Sequence, residues 1–397
     1  MSKRHWFLTA ALVLLWTAPV QAQPYPRVAS YARLLGGGFP LIQVVGGPID
    51  SLLTKKMAQN GTITLDINPT WPLRPDIILS VKHYNAHCKV LAYHLTAWWY
   101  LDPTFVPSPT DQTFPALWHR AIQATGGFGA ANSGGWLVNW NNRPTADTLT
   151  ALLCRVAGSG IFDGMFLDYA TSTWTDSVRV NAYKRLVANL KTAGGPTFTV
   201  VANGAQWDPS NTGSDGAMRE NYTLPSIGLD SIRVWLQTYP RTDNWVKTEW
   251  SSGVWAYHAE NCRRSRVATA TACLFSSWST FGSNRDIVGP PYYHGWWFDE
   301  YSVNSAGVAD TLGNRVGWLG DPVGPARKVG FVWVREFTNG LVALNPIVGQ
   351  KFVVFPCTGL YKRIQGVRDL VTNNGAGGAS FSINADDGLF LVKIVVP

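Results

Sequence analysis

No segment of this 397-residue chain after its N-terminus is apolar for long enough to span a bilayer, so no transmembrane helix is expected. Lysine and arginine form no run beyond Arg263-Arg264-Ser265-Arg266. The formal charge of +8 is therefore dispersed, and the clustered basic face of a nucleic-acid-binding protein is missing. There is no Gly-x-Ser-x-Gly elbow, phosphate loop or dinucleotide fingerprint. His83 and His87 have helical spacing, but Tyr84-Asn85-Ala86 lie between them, without the glutamate of the zinc protease motif. They flank an apolar stripe of Ile77, Ile78, Val81, Tyr84 and Cys88, as a solvated helix edge would. No metal or cofactor is expected. Cysteine is scarce and odd in number: Cys88, Cys154, Cys262, Cys273 and Cys357 leave at least one thiol unpaired. Cys262 and Cys273 are close enough in sequence to staple one loop, and Cys154 falls on an apolar helical face as a buried thiol would.

The N-terminus has a different character. Lys3-Arg4-His5 is followed by an apolar stretch from Trp6 to Trp16 and by Val20-Gln21-Ala22, the pattern of a secretory signal peptide over residues 1–22. Export to a secreted or periplasmic location follows as an expectation. The 19 tryptophans crowd after apolar runs, among them Trp98, Trp136, Trp140, Trp174 and Trp207. Indole faces suit the C–H faces of sugar rings and the N–H offers a polar handle. Each is also an ordinary core or loop anchor, since large aromatics are buried on average.

After residue 22, apolar strand-like runs alternate with helical patterns, as in βα units around a parallel sheet. Eight runs qualify: Arg27 to Leu34, Thr62 to Ile67, Lys89 to Thr96, Asp163 to Tyr169, Thr197 to Asn203, Gly216 to Tyr222, Val254 to Glu260 and Ala272 to Trp278. Leu149, Leu152, Leu153 and Val156 keep helical spacing, as do Tyr183, Leu186, Val187 and Leu190 before Gly194-Gly195. Trp136 to Trp140 reads as a short extra strand, and Pro103 to Gly135 as a long loop. The fold expected is an α/β class (β/α)8 TIM barrel over residues 27–316. A small all-β sandwich domain over 328–397 follows it, where the period changes to two, Asn339-Gly340 marks a hairpin and Asp387-Gly388 marks another. Gly317 to Pro325 is the linker.

In such a barrel, catalytic groups sit where strands end. Asp168 closes the fourth run, and Asp163 stands at its other end. Glycosidic hydrolysis needs two carboxyl groups flanking one bond, about 5–5.5 Å apart for retention and about 6.5–9.5 Å for inversion. Glu220, ending the sixth run in Met218-Arg219-Glu220-Asn221-Tyr222, is the second carboxyl; its alternative is a surface carboxylate paired with Arg219. Candidate sugar-binding positions are Asp66, Tyr93, His94, Trp98, Trp140, Asn203, Trp207, Tyr257 and Glu260. Each of these is equally a barrel hydrogen bonder, because buried polar groups need partners. Asp299-Glu300 lies too far along the chain for a strand top.

The Asp163-Gly164-Met165-Phe166-Leu167-Asp168 run, the segment from Trp136 to Asn142, Arg219-Glu220-Asn221, and the closing Arg335-Glu336-Phe337-Thr338-Asn339-Gly340-Leu341-Val342-Ala343-Leu344-Asn345-Pro346 together give a resemblance. The chain resembles the glycoside hydrolase group called hypothetical glycosyl hydrolase family fifteen, which is distinct from the glucoamylases. The resemblance implies a (β/α)8 barrel with a C-terminal β sandwich and activity on carbohydrate. The expected function is a secreted glycoside hydrolase, retaining, with Asp168 as nucleophile or base, Glu220 as general acid and a carbohydrate substrate as the partner. The alternative is a carbohydrate-binding barrel without turnover. Sugar, linkage and oligomeric state are not legible in the sequence.

Overall fold

A computed structural model describes residues 24–30, 51–67, 75–96, 98–99, 107–111, 114–132, 135–168, 177–203, 213–220, 222–223, 228–249, 257–282, 297–311, 316–349 and 352–394. The signal-like segment 1–22 and Trp207 lie outside them. Eight parallel strands run in order round one sheet: β1 (Ala29–Ser30), β2 (Thr62–Asp66), β3 (Lys89–Leu95), β7 (Gly164–Asp168), β8 (Thr199–Asn203), β9 (Gly216–Arg219), β10 (Trp245–Glu249) and β11 (Trp278–Gly282). Val28 bridges Ser279 in parallel, and the Ser279 N–H donates to the Arg27 carbonyl at 3.0 Å, so the sheet closes into a (β/α)8 barrel.

Strand periodicity sorts the side chains into two cores. Val90, Ala92, Met165, Leu167, Val200, Ala202 and Val246 point outward to the helices. Leu91, Phe166, Val201, Met218, Trp245 and Trp278 fill the barrel interior. Below them the Lys89 ammonium donates to Thr199 Oγ1 at 3.3 Å and Asp243 Oδ1 at 3.1 Å across the barrel floor. Residues just before three strands cap the neighbouring strand there. Asp163 accepts the Val90 N–H at 2.7 Å, Asp215 the Val200 N–H at 2.8 Å, and Asn244 the Ala217 N–H at 3.0 Å. Gly164 is required at the fourth strand, since a Cβ would lie 2.1 Å from the Thr199 carbonyl oxygen.

The helix layer consists of α1 (Ser51–Ala58), α2 (Pro75–Tyr84), α3 (Phe114–Ala124), α4 (Arg143–Ala157), α5 (Ser177–Gly194), α6 (Leu229–Thr238) and α7 (Ala259–Leu274). In α4, Asn142 caps the Thr145 N–H, a proline opens the first turn, and Leu149, Leu153 and Val156 bury one face. A three-stranded antiparallel sheet of β4 (Trp98–Trp99), β6 (Gly135–Val138) and β5 (Phe128–Asn132) stands between the third and fourth barrel strands. It contains the strand expected near Trp136. The expected loop from Pro103 to Gly135 instead carries α3 and β5, because Trp118, His119 and Ile122 recur at helical spacing and are buried.

The last two barrel strands depart from the sequence reading. Val254 to Glu260 holds no strand among its described residues, the seventh strand being β10; Ala272 to Trp278 is the end of α7 and the start of β11. The cause is the burial of α7, in which Asn261, Cys262 and Ser265 through Leu274 are all covered, leaving no polar face to reveal a helical period.

C-terminal to the barrel, one antiparallel sheet runs β12 (Arg327–Val329), β13 (Val332–Phe337), β14 (Gly340–Asn345), β17 (Asp387–Lys393), β15 (Phe352–Arg363) and β16 (Gly377–Asn384). A register shift between Pro356 and Tyr361 bends β15, and the sheet folds over a core of Val332, Val334, Leu341, Phe355, Phe381 and Leu391. Val342, Leu344 and Phe390 on the opposite face join the barrel core. The first hairpin closes over Thr338 and Asn339, with Gly340 already paired to Phe337. At Asp387 the chain turns without pairing β16 to β17; β17 enters between β14 and β15 instead. Gly388 permits the close approach of β17 to α7, where a Cβ would meet the Arg266 carbonyl oxygen at 2.7 Å.

The cysteines are all free thiols. Cys262 and Cys273 cannot form the anticipated staple. They lie eleven positions apart in the continuous helix α7, about 16 Å along the axis, well beyond disulfide reach. Cys154 is half-buried on α4.

Candidate active site

The C-terminal ends of the barrel strands bring five polar side chains inward. Asp168 follows Phe166 on the interior face of β7 and is 1% exposed. The Tyr93 hydroxyl, from β3, donates to Asp168 Oδ2, and the Asn203 amide, from β8, donates to Oδ1 at 2.6 Å. Each carboxylate oxygen thus has a donor from a flanking strand. The pairing follows from register, which sets Leu95 opposite Asp168 and Leu167 opposite Ala202. The Asp168 carbonyl is also held, accepting from the Thr96 N–H at 3.0 Å and the Thr96 hydroxyl at 2.7 Å. Beneath the carboxylate, Tyr93 stacks on Phe166 at 5.9 Å between ring centres, and Phe166 leans on Trp245 at 5.2 Å. The apolar interior therefore forms the floor of the site.

Glu220 follows β9, one strand beyond Asn203. Its Oε1 accepts from the ammonium of Lys247 at 2.9 Å. Lys247 stands two residues after Trp245 on the interior face of β10 and is buried. Glu220 thus meets this lysine, and burial lowers the Arg219 guanidinium. Lys247 was not among the sequence candidates, because the seventh strand was placed too late. The alternation of Trp245, Val246, Lys247 and Thr248 was the available signal.

The other candidates separate. His94 points out of the barrel, packing edge-on against Trp118 at 4.2 Å, and full burial lowers its imidazole to about 3. Trp140 is buried in the outer core and donates through Nε1 to the Thr96 carbonyl at 2.8 Å, which braces the segment that holds Asp168. Tyr257 is not in a strand; its hydroxyl accepts the Trp297 N–H at 3.3 Å, and the Arg368 guanidinium lies 4.3 Å from its ring centre. Glu260 lies in the first turn of α7. Burial would raise its carboxyl, but bonds from Arg263 and Arg264 outweigh that and hold it below the ordinary range. Tyr257 and Glu260 therefore belong to the junction of α7 with the C-terminal sheet. Asp66 and Trp98 end β2 and occupy β4, and their side chains lie outside the described residues. Asp299 and Glu300 are buried at the same junction, away from the strand tops.

No protein-family profile matches the chain, and no curated protein matches it. Solved structures match by fold. Amy13B of Eubacterium rectale is 10% identical over 89% of this chain and 93% of that one, with a TM-score of 0.51. An α-amylase from Lactobacillus plantarum is 9% identical over 86% and 93%, with a TM-score of 0.50. Similarity at this level establishes the barrel with its C-terminal β domain.

Proposed function

We propose that the chain is a glycoside hydrolase that cleaves a poly- or oligosaccharide, with Asp168 as nucleophile or base and Glu220 as general acid. The observation that carries this reading is the placement of two carboxyl groups at the strand ends of one barrel mouth, Asp168 on β7 and Glu220 after β9, with one strand between them. The shared fold with a Lactobacillus plantarum α-amylase supports the choice of chemistry. In the retaining form, an Asp168 oxygen attacks the anomeric carbon while Glu220 gives its proton to the departing glycosidic oxygen. Water then hydrolyses the glycosyl ester, its proton passing to Glu220 and the bond to Asp168 breaking. Tyr93 and Asn203 fix the plane of the Asp168 carboxylate. Export through residues 1–22 belongs to the same proposal.

A second reading, carbohydrate binding without turnover, is favoured by the Lys247 contact. A carboxylate in an ion pair donates no proton, so Glu220 acts as an acid only when that contact opens or its other oxygen carries the proton. Screening the purified chain on a polysaccharide panel separates the two. Release of reducing ends, lost in Asp168→Ala and Glu220→Ala and restored by azide in one of them, supports catalysis. Retention on a polysaccharide without release supports binding. Full activity in Asp168→Ala overturns the assignment, and an inverted first product, read by NMR, makes Asp168 a base.

A further inference from the structure

The barrel meets the C-terminal sheet through a buried acid cluster that the proposed chemistry does not use. From α7, Arg266 grips Asp387 of β17 with two bonds of 2.9 Å and also contacts Asp369. Asp387 Oδ1 accepts in addition from the Gly388 N–H at 2.7 Å. Asp299 accepts the N–H groups of Val367, Arg368 and Asp369 at 3.1, 3.0 and 2.9 Å. The Asn373 amide donates to Asp299 Oδ2 at 3.3 Å and to Glu300 Oε1 at 2.8 Å. The connection between β15 and β16 is thereby wrapped around two adjacent acids that follow the barrel.

Three carboxyl groups, Glu300, Asp369 and Asp387, act on one fully buried guanidinium, that of Arg266, and Asp299 adjoins Glu300. Burial disfavours the charged form of an acid most where the donors that meet it are neutral. Arg266 bonds Asp369 and Asp387 directly, and three backbone N–H groups converge on Asp299. Glu300 has the Asn373 amide and its own N–H. The other titratable groups facing this region offer little help. Cys262 on α7 and Tyr301 beside Glu300 are both raised by burial, and Arg363 on β15 and Tyr257 before α7 face Asp387 and Asp299.

We propose that Glu300 is a proton-held latch, which binds the 366–373 connection to the barrel when protonated and loosens it on ionisation. Burial above all, with Asp299 adding and Arg266 opposing, pushes this carboxyl up to about 8. Relative to an opened state near the ordinary value of 4.5, closure is fullest in acid and is lost progressively as pH rises to about 8, above which it levels.

The test uses the full chain. Arg368 is exposed, its N–H is bound to Asp299, and release frees its peptide bond for trypsin. Cleavage after Arg368 is followed by mass spectrometry and normalised to a small peptide substrate. Opening in the wild type is expected to rise about tenfold per pH unit and level near pH 8, whereas Glu300→Gln, which mimics the protonated acid, stays flat. The same slope in both proteins, or a flat wild type, overturns the latch. Should Glu300→Gln not fold, hydrogen exchange at Val367, Arg368 and Asp369 in the wild type, corrected for intrinsic rates, decides the matter. A flat profile there also overturns it. None of these readouts depends on carbohydrate, so the latch and the proposed hydrolysis fail separately.

Discussion

The Lys247 ammonium lies 2.9 Å from Glu220 Oε1, yet the two ends of the bond are unequal, with side-chain exposures of 2% and 33%. Removing the glutamate takes this carboxylate from a buried cation, while removing the lysine leaves a carboxylate that water reaches. Glu220→Ala is therefore expected to cost about 1–3 kcal/mol, and Lys247→Met less. Denaturant unfolding of both variants checks this; a greater loss in Lys247→Met would show that the ammonium is worth more to the fold than the carboxylate it meets.

At Asp168, the Tyr93 and Asn203 donors on opposite oxygens predict coupled losses. Tyr93→Phe and Asn203→Ala are each expected to lose about 1.5–3 kcal/mol, the worth of a hydrogen bond to a charged group. The double variant should depart from additivity by at least about 0.5 kcal/mol, because both donors serve one carboxylate. Additive losses would mean that the two residues act through separate packing.

His94 makes stability sensitive to acid. Its folded value, lowered by burial to about 3, lies below the ordinary 6.5, so the neutral form's contribution is complete above pH 6.5 and is lost as pH falls toward 3. Between about pH 7 and about pH 5 the wild type should lose about 2 kcal/mol more than His94→Phe, which keeps a ring against Trp118. Equal slopes in the two proteins would refute the assignment.

The thiols should be inert in the native state. Burial pushes Cys88 and Cys262 up to about 12, and Cys273 is raised further. A thiol reagent is expected to titrate these three only on denaturation, and reductant should leave Tm unchanged. A fall in Tm with reductant would reveal a disulfide.

The fourth strand was the most legible part of the chain. Gly164 admits the neighbouring carbonyl, Phe166 fills the interior, and Asp168 continues the same face, so one local alternation encodes both packing and chemistry. Asn203 was legible for the same reason, being the third interior residue after Thr199 and Val201. His94 was misleading because residue type does not declare which face of β3 it occupies; alternation from Leu91 and Tyr93 sends it outward. The eighth run was set partly on the end of α7 because that helix is buried along Ser265 to Leu274 and shows no helical period there.

Strand periodicity, turn residues and the change to period two after Lys328 by themselves determined the class of fold and the position of Asp168, because these are properties of neighbours in the chain. Tertiary structure alone decided that Tyr93 and Asn203 flank Asp168, that Lys247 meets Glu220, and that Tyr257 and Glu260 belong to a domain junction. Those outcomes depend on register between strands and on which helix face is doubly covered. Both are set by packing between residues far apart in sequence.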